Sequence, residues 1–245
     1  MSDDTSMHCG AGYRPVEIAP LVTHISQDPT VRLVSSARLR DPVLRRLVAE
    51  EELDALAEIE GATSGRLRAQ EIGADHLDRR ELVFGIPHAH FINASFSYWL
   101  PRSLNRFNGP GRGAWYAALV VETCIAEVTF HMERELANVG DFNAVVEYAE
   151  MFASFVGDFV DVRRVDPRPD CLDPNPAKGY PAGNRLADAV RAAGHYGIVY
   201  PSVRAPGGTC FVALVPHAVQ SVAQGNVARL SWKGKPGPEI EEIAS

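Results

Sequence analysis

Two short blocks of this 245-residue chain carry the residue types that do chemistry. The first runs Arg106-Phe107-Asn108-Gly109-Pro110-Gly111-Arg112-Gly113-Ala114-Trp115-Tyr116 and continues through an apolar stretch to Glu127. It spaces an arginine, a tyrosine and a glutamate ten and eleven residues apart. The second, Tyr200-Pro201-Ser202-Val203-Arg204, adds a hydroxyl and a further guanidinium. A guanidinium clamps phosphate oxygens through bidentate, charge-assisted bonds. A carboxylate beside a ribose stabilises the positive charge that grows as a glycosidic bond breaks. An aromatic ring stacks on a flat base, and a serine hydroxyl bonds a ribose or the carboxylate. Together these are the parts that hold a dinucleotide and strain its glycosidic bond.

Each residue also has a purely structural reading. Arg106 would cover a turn at the surface. Tyr116 would be a core tyrosine with a satisfied hydroxyl. Glu127 would be a solvated position on an amphipathic helix. Ser202 would cap the turn after Pro201, and Arg204 would pair with an acid. Spacing alone leaves both sets open.

The elements that must position these groups are partly visible. Three glycines within Gly109–Gly113 mark a turn. Trp115 to Val121 is an apolar run of strand length, and Glu122 to Leu136 has good helix formers with acids in its first turn. On that helix Cys124, Glu127 and His131 fall at i, i+3 and i+7, on one face. Ile125, Met132 and Leu136 fall on an adjacent face that meets the core. Downstream, Gly197–Tyr200 and Thr209–Val215 read as strands flanking the Ser202/Arg204 loop.

Elsewhere, Val31 to Leu39 reads as a first strand, and the spacing of Leu44, Leu47, Val48, Leu53, Leu56 and Ile59 predicts a helix. Residues 61–80 are charged, with a short helix, and Leu82 to Phe96 mixes short apolar stretches. Ala144–Phe155 and Phe159–Arg163 read as two strands. Five prolines in Asp166–Gly183 predict a loop, followed by a short helix from Asn184 to Ala193 closed by Gly194. Residues 1–30 read as an N-terminal arm, 31–233 as a single catalytic domain with its core motifs at 99–215, and 234–245 as a fraying polar tail.

Composition excludes several classes. The net charge of −7, with no basic block, argues against direct nucleic-acid binding. Cys9, Cys124, Cys171 and Cys210 are too scattered for a disulfide framework or a zinc site. His88-Ala89-His90 could align two imidazoles, but no third ligand is evident, so no metal site is expected. Cys124 reads as a small buried cysteine and not as a nucleophile. The glycines at 109, 111 and 113 precede a strand and do not match a dinucleotide-binding fingerprint. No signal peptide or membrane-spanning run is evident, which predicts a cytoplasmic protein with no membrane association.

The two blocks resemble the RES-domain family, named for an arginine, a glutamate and a serine. The matching stretches are Arg106-Phe107-Asn108 followed by Trp115-Tyr116-Ala117-Ala118, then Glu122-Thr123-Cys124-Ile125-Ala126-Glu127, then Gly197–Arg204 and the strand after Gly207-Gly208. The resemblance covers residues 33–232, best at 99–215. Phe107 departs from the tryptophan of many members. The resemblance implies an α+β fold of the ADP-ribosyltransferase type, with a central split antiparallel or mixed sheet flanked by helices. It implies a toxin that degrades NAD⁺, a substrate here, with no bound prosthetic group. It also implies an Xre-like helix-turn-helix antitoxin that covers the active site; a homodimer is left open.

On that resemblance Glu127 is the catalytic carboxylate, Arg106 the phosphate clamp and Arg38 a second clamp. Tyr116 stacks on nicotinamide or bonds the ribose, Ser202 bonds the ribose or Glu127, and Arg204 joins the binding set. Water as acceptor makes a glycohydrolase and phosphate makes a phosphorylase. A protein mono-ADP-ribosyltransferase is the alternative, disfavoured by Ile125 two positions before Glu127. A catalytically inactive binding module is disfavoured by the intact residue set.

Overall fold

The computed structural model describes residues 19–35, 78–97 and 104–243. Arg38, the helix expected over residues 44–59 and the charged stretch to residue 77 lie outside the described residues.

The elements in chain order are β1 (Leu21–Ser35), α1 (Ala89–Ser97), β2 (Trp115–Ala118), α2 (Val121–Val139) and β3 (Asn143–Asp161), then α3 (Pro176–Ala192), β4 (Gly197–Pro201), β5 (Thr209–Ala213), β6 (Val219–Lys233) and β7 (Glu239–Ile243). The described strands form one seven-stranded sheet in the order β1-β2-β5-β4-β3-β6-β7, with β1 also paired to β3. That extra pairing joins β1, β2, β5, β4 and β3 into a ring of neighbours, and β6 and β7 continue outward from β3. Within the sheet β3 and β4 run parallel and the other neighbours antiparallel. The protein is α+β, as the sequence predicts.

Period-two alternation divides the strands between two cores. Trp115 and Ala117 of β2, Val199 of β4 and Phe211 and Ala213 of β5 join Met151, Ala153, Phe155 and Phe159 of β3 on one face, under α1. Tyr116 and Ala118, Ile198 and Tyr200, and Cys210 and Val212 join the other face with residues of α2 and α3. The register sets Ala118 beside Cys210, and Cys210 beside Tyr200, across three adjacent strands. Ile125, Met132 and Leu136 of α2 close a third cluster on Leu230 and Trp232 of β6, as their spacing predicts. Helix α2 ends at Gly140, whose φ of 77° lets its N–H reach the carbonyls of Leu136 and Ala137.

Several expectations are corrected. The first strand begins at Leu21, inside the stretch read as an arm, and pairs with β3 along nearly its whole length. The two strands read over residues 144–163 are one, because that pairing carries β3 through Gly157, opposite Ile25. The apolar mixture before Phe96 contains helix α1. The proline-rich loop ends at Asn175, whose side chain caps α3 by accepting from Ala177 N. Pro176 then occupies a first-turn position, where no N–H is needed. Pro181 stands inside the helix at the loss of one backbone bond. The strand ending the first block stops at Ala118, so α2 starts at Val121.

The tail beyond Trp232 is also ordered. Strand β7 pairs with β6, and its acids bond across the pair: Glu239 to Lys233 at 2.5 Å, Glu241 to Arg229 at 3.3 Å and Glu242 to Asn226 at 2.5 Å. Its polar composition is that of a solvated edge strand. Among the described residues, no helix is long and apolar enough to cross a membrane.

Candidate active site

The first block folds as a pinned turn leading into β2. The Tyr116 hydroxyl accepts from Phe107 N at 2.9 Å and donates to Asn108 Oδ1 at 2.8 Å. Asn108 Nδ2 donates to the Arg112 carbonyl at 3.1 Å, and Asn105 N donates to the Asn108 carbonyl at 2.8 Å. Arg112 pairs with Glu81 at the outer side. Burial pushes the Tyr116 phenol well above its usual range, so it stays neutral and serves as donor and acceptor at once.

Arg106 is only 7% exposed. Its Nη1 donates to the carbonyls of Cys171 at 2.6 Å and Asp173 at 3.1 Å, and its guanidinium lies 5.3 Å from the centre of the Tyr180 ring. Both bonds leave from Nη1, so they do not engage the Nε and Nη2 side of the fork. Helix α3 makes this approach possible. A Cβ at Gly183 would strike the Arg106 carbonyl, and one at Gly179 would stand 2.5 Å from the Asp173 carbonyl and 2.9 Å from Arg106 Nη1. Between them Tyr180 supplies its ring, and Asn184 Nδ2 donates to the Asn105 carbonyl at 2.8 Å.

The carboxylate and the serine meet from positions 75 residues apart in the chain. Ser202 Oγ donates to Glu127 Oε1 at 2.7 Å. The same oxygen accepts from Arg204 N at 3.1 Å and Ala205 N at 2.9 Å. Two backbone donors thus polarise the hydroxyl toward the carboxylate, which it engages through Oε1. The turn itself closes through Ser202 N to the Gly208 carbonyl at 2.8 Å.

A cavity of about 250 Å³ opens where these groups converge. Arg106, Tyr116 and Glu127 line it; Ser202 stands behind Glu127, outside the lining. Cys124 and His131 line it too, so the three residues predicted to share one face of α2 all do so at the cavity. Arg204 is not part of the wall. Its guanidinium stacks 3.3 Å from the centre of the Phe130 ring and donates to the Pro174 carbonyl at 2.8 Å. His88 and His90 form a ring cluster with Phe91 away from this wall.

Sequence reasoning missed Arg32, Asn105, Tyr180, Tyr200 and Cys210 at the wall. Arg32 lies on β1 with its guanidinium 4.7 Å from the Trp115 ring centre; an arginine within an apolar strand was the available signal. For Tyr180 it was the Gly179-x-x-x-Gly183 spacing around it.

The electrostatics are those of a guarded, largely uncharged floor. Burial pushes the Cys124 thiol up to about 12 and the Cys210 thiol and Tyr200 phenol well above their usual ranges. Cys124 Sγ donates to the Val31 carbonyl at 3.0 Å, as a small buried cysteine does. His131, at the cavity lining, is held down to about 4 by desolvation, then by Arg134, Arg204 and Arg106. The charged groups on the wall are therefore one carboxylate and two guanidiniums. Guanidiniums of this kind can pair with an anion, and a carboxylate can stabilise a developing cation.

A family model described as RES domain matches residues 82–233, more than half of the chain, and spans Arg106, Tyr116, Glu127, Ser202 and Arg204. It begins downstream of residue 33, where the sequence resemblance begins. No curated protein matches the chain.

Proposed function

The chain belongs to the RES-domain family, and from that premise we propose that it cleaves the nicotinamide–ribose bond of NAD⁺ as the toxin of a toxin–antitoxin pair. The observation that carries this reading is the Ser202–Glu127 hydrogen bond at the cavity wall shared with Arg106 and Tyr116. In this reading the sheet is an ADP-ribosyltransferase-like core.

The C1′–N bond breaks with its electron pair leaving on nicotinamide, which departs as a neutral base and requires no general acid. The ribose becomes oxocarbenium-like, and the carboxylate of Glu127 stabilises it and holds a ribose hydroxyl. Ser202 positions that carboxylate. Arg106 meets pyrophosphate through its Nε and Nη2 edge, with Arg32 on the same wall; Arg38 is the further clamp expected from sequence. Tyr116 contributes its ring face to the wall while its hydroxyl holds the Arg106 turn. Arg204 acts at the rim by fixing the Ser202 turn.

The acceptor oxygen comes from water, which loses a proton and gives ADP-ribose, or from phosphate, which gives ADP-ribose 1″-phosphate. A protein acceptor is less favoured: Ile125, two positions before Glu127, packs into the core and supplies no second carboxylate. An Xre-like antitoxin would act by covering the cavity mouth.

The test is to incubate the purified, antitoxin-free protein with NAD⁺, with and without phosphate, and to resolve the products. Free nicotinamide with ADP-ribose supports a glycohydrolase, and a phosphorylated ADP-ribose formed only with phosphate supports a phosphorylase. Unchanged NAD⁺ in both overturns the reading.

A further inference from the structure

Three tyrosines line the cavity, and their hydroxyls are not equivalent. That of Tyr116 is engaged on both sides by its own turn. Tyr180 lies beneath Arg106 and beside Arg204. Tyr200 is only 5% exposed, and its hydroxyl meets the thiol of Cys210. A thiol is a weak partner. No oxygen or nitrogen among the described residues bonds that hydroxyl, whereas a buried phenol ordinarily has a full partner.

Position on the strand says which part of a ligand it would meet. Tyr200 lies two residues before Ser202, which bonds Glu127, and the carboxylate is the nearest-acting acid on the phenol. Its neighbours in register are Cys210 and, one strand further, Ala118; the edge of the Phe107 ring supports it at 4.8 Å between centres. Ala118, Cys210 and the ring of Tyr200 make this part of the lining weakly polar. A ribose, with several hydroxyls, is better served by Glu127; a planar aromatic base with one polar substituent suits the floor.

We propose that the Tyr200 hydroxyl contacts substrate, donating a hydrogen bond to the carboxamide oxygen of the leaving nicotinamide. This rests on the reading of the site as one that cleaves NAD⁺. The phenol is held neutral by burial and so remains a donor through the physiological range. It holds the base in place while the ring changes from cation to neutral molecule, with no proton transferred. Tyr200 also makes the site selective: a base lacking that acceptor leaves a buried donor without a partner.

The experiment compares NAD⁺ with its thionicotinamide analogue, whose sulfur accepts weakly. The full chain and its Tyr200→Phe variant are both used, with folding checked by circular dichroism. The wild-type protein should favour NAD⁺ by about tenfold or more in kcat/KM, the worth of one neutral hydrogen bond. Tyr200→Phe should lose most of its rate on NAD⁺ and little on the analogue, so the preference collapses. A preference that survives in the variant overturns the proposal while leaving NAD⁺ cleavage intact. A wild-type protein that releases neither nicotinamide from NAD⁺ nor thionicotinamide from the analogue overturns the parent reading as well. Product inhibition of the wild-type protein provides a check independent of the variant's folding. Nicotinamide should inhibit more tightly than 3-methylpyridine, which lacks the amide, and equal inhibition would count against the contact.

Discussion

Ser202 and Glu127, 75 residues apart in sequence, are joined by a 2.7 Å hydrogen bond from the serine hydroxyl to Oε1 of the carboxylate. Because the hydroxyl accepts two backbone N–H groups in turn, its proton has one good destination. The carboxylate is thereby fixed in rotation at the cavity wall before any ligand arrives, the preorganisation that electrostatic catalysis requires.

Glu127→Gln should keep the fold and reduce nicotinamide release by about 10²-fold or more, since the charge facing the cavity is removed. Ser202→Ala should lower kcat more than it raises KM, because the carboxylate survives but loses its orientation. Initial rates of nicotinamide release over a range of NAD⁺ concentrations measure both. Near wild-type turnover by Glu127→Gln would remove this residue from the chemistry.

Tyr116→Phe should act through Arg106 and its turn. Phe107 is fully buried, so its N–H would be left dry when the accepting hydroxyl is deleted. An unsatisfied buried donor costs about 1–3 kcal/mol, which for a chain of this size is a Tm lower by about 2–4 °C per kcal/mol. Thermal melts check the stability, and KM for NAD⁺ should rise as the arginine loses its setting. An unchanged Tm and KM would show that the pin is dispensable.

Gly183→Ala places a methyl group against the backbone carbonyl of Arg106 and 3.2 Å from the Phe107 ring. Backbone cannot swing aside as a long side chain can, so the turn or helix α3 must shift, at about 1–3 kcal/mol for overpacking. Chemical denaturation and kcat/KM should fall together. Retained activity at wild-type stability would mean that α3 does not set the arginine.

His131 should titrate near 4 when followed by its ring-proton resonance, well below the free value of about 6.5. The folded-state value is depressed, so whatever stability the neutral ring contributes is present above about 6.5 and lost as pH falls toward about 4. Its open position at the cavity lining keeps that contribution small, and NAD⁺ turnover between pH 6 and 8 should show no step from this residue. A titration midpoint near 6.5 would refute the depression.

Local pattern made much of the site legible. The i, i+3, i+7 spacing of Cys124, Glu127 and His131 placed all three on one helix face, because a helix repeats every 3.6 residues whatever surrounds it. The Gly109–Gly113 turn, β2, β4 and β5 were legible for the same local reason. Where polarity or proline stood in for structure, the reading failed. Strand β7 is acidic because it is a solvated edge whose charges pair across to Lys233, Arg229 and Asn226. Helix α3 holds two of the prolines that predicted a loop, one at a first-turn position where proline fits.

The sequence by itself determined the residue set and the local frames that carry it: an arginine on a turn, a glutamate on a helix face, a serine after a strand. Only the tertiary structure decided what each group is free to do. Three antiparallel strands bring Ala118, Cys210 and Tyr200 into one row. Two helical glycines admit the Arg106 backbone, and a hydroxyl from 75 residues along the chain reaches Glu127. The Tyr116 hydroxyl, one of the two ligand groups that the sequence offers on that residue, is engaged by its own turn, while that of Tyr200 meets only the Cys210 thiol. Such assignments depend on long-range register and on which hydrogen bonds are already satisfied, and neither is a property of residues close together in the chain.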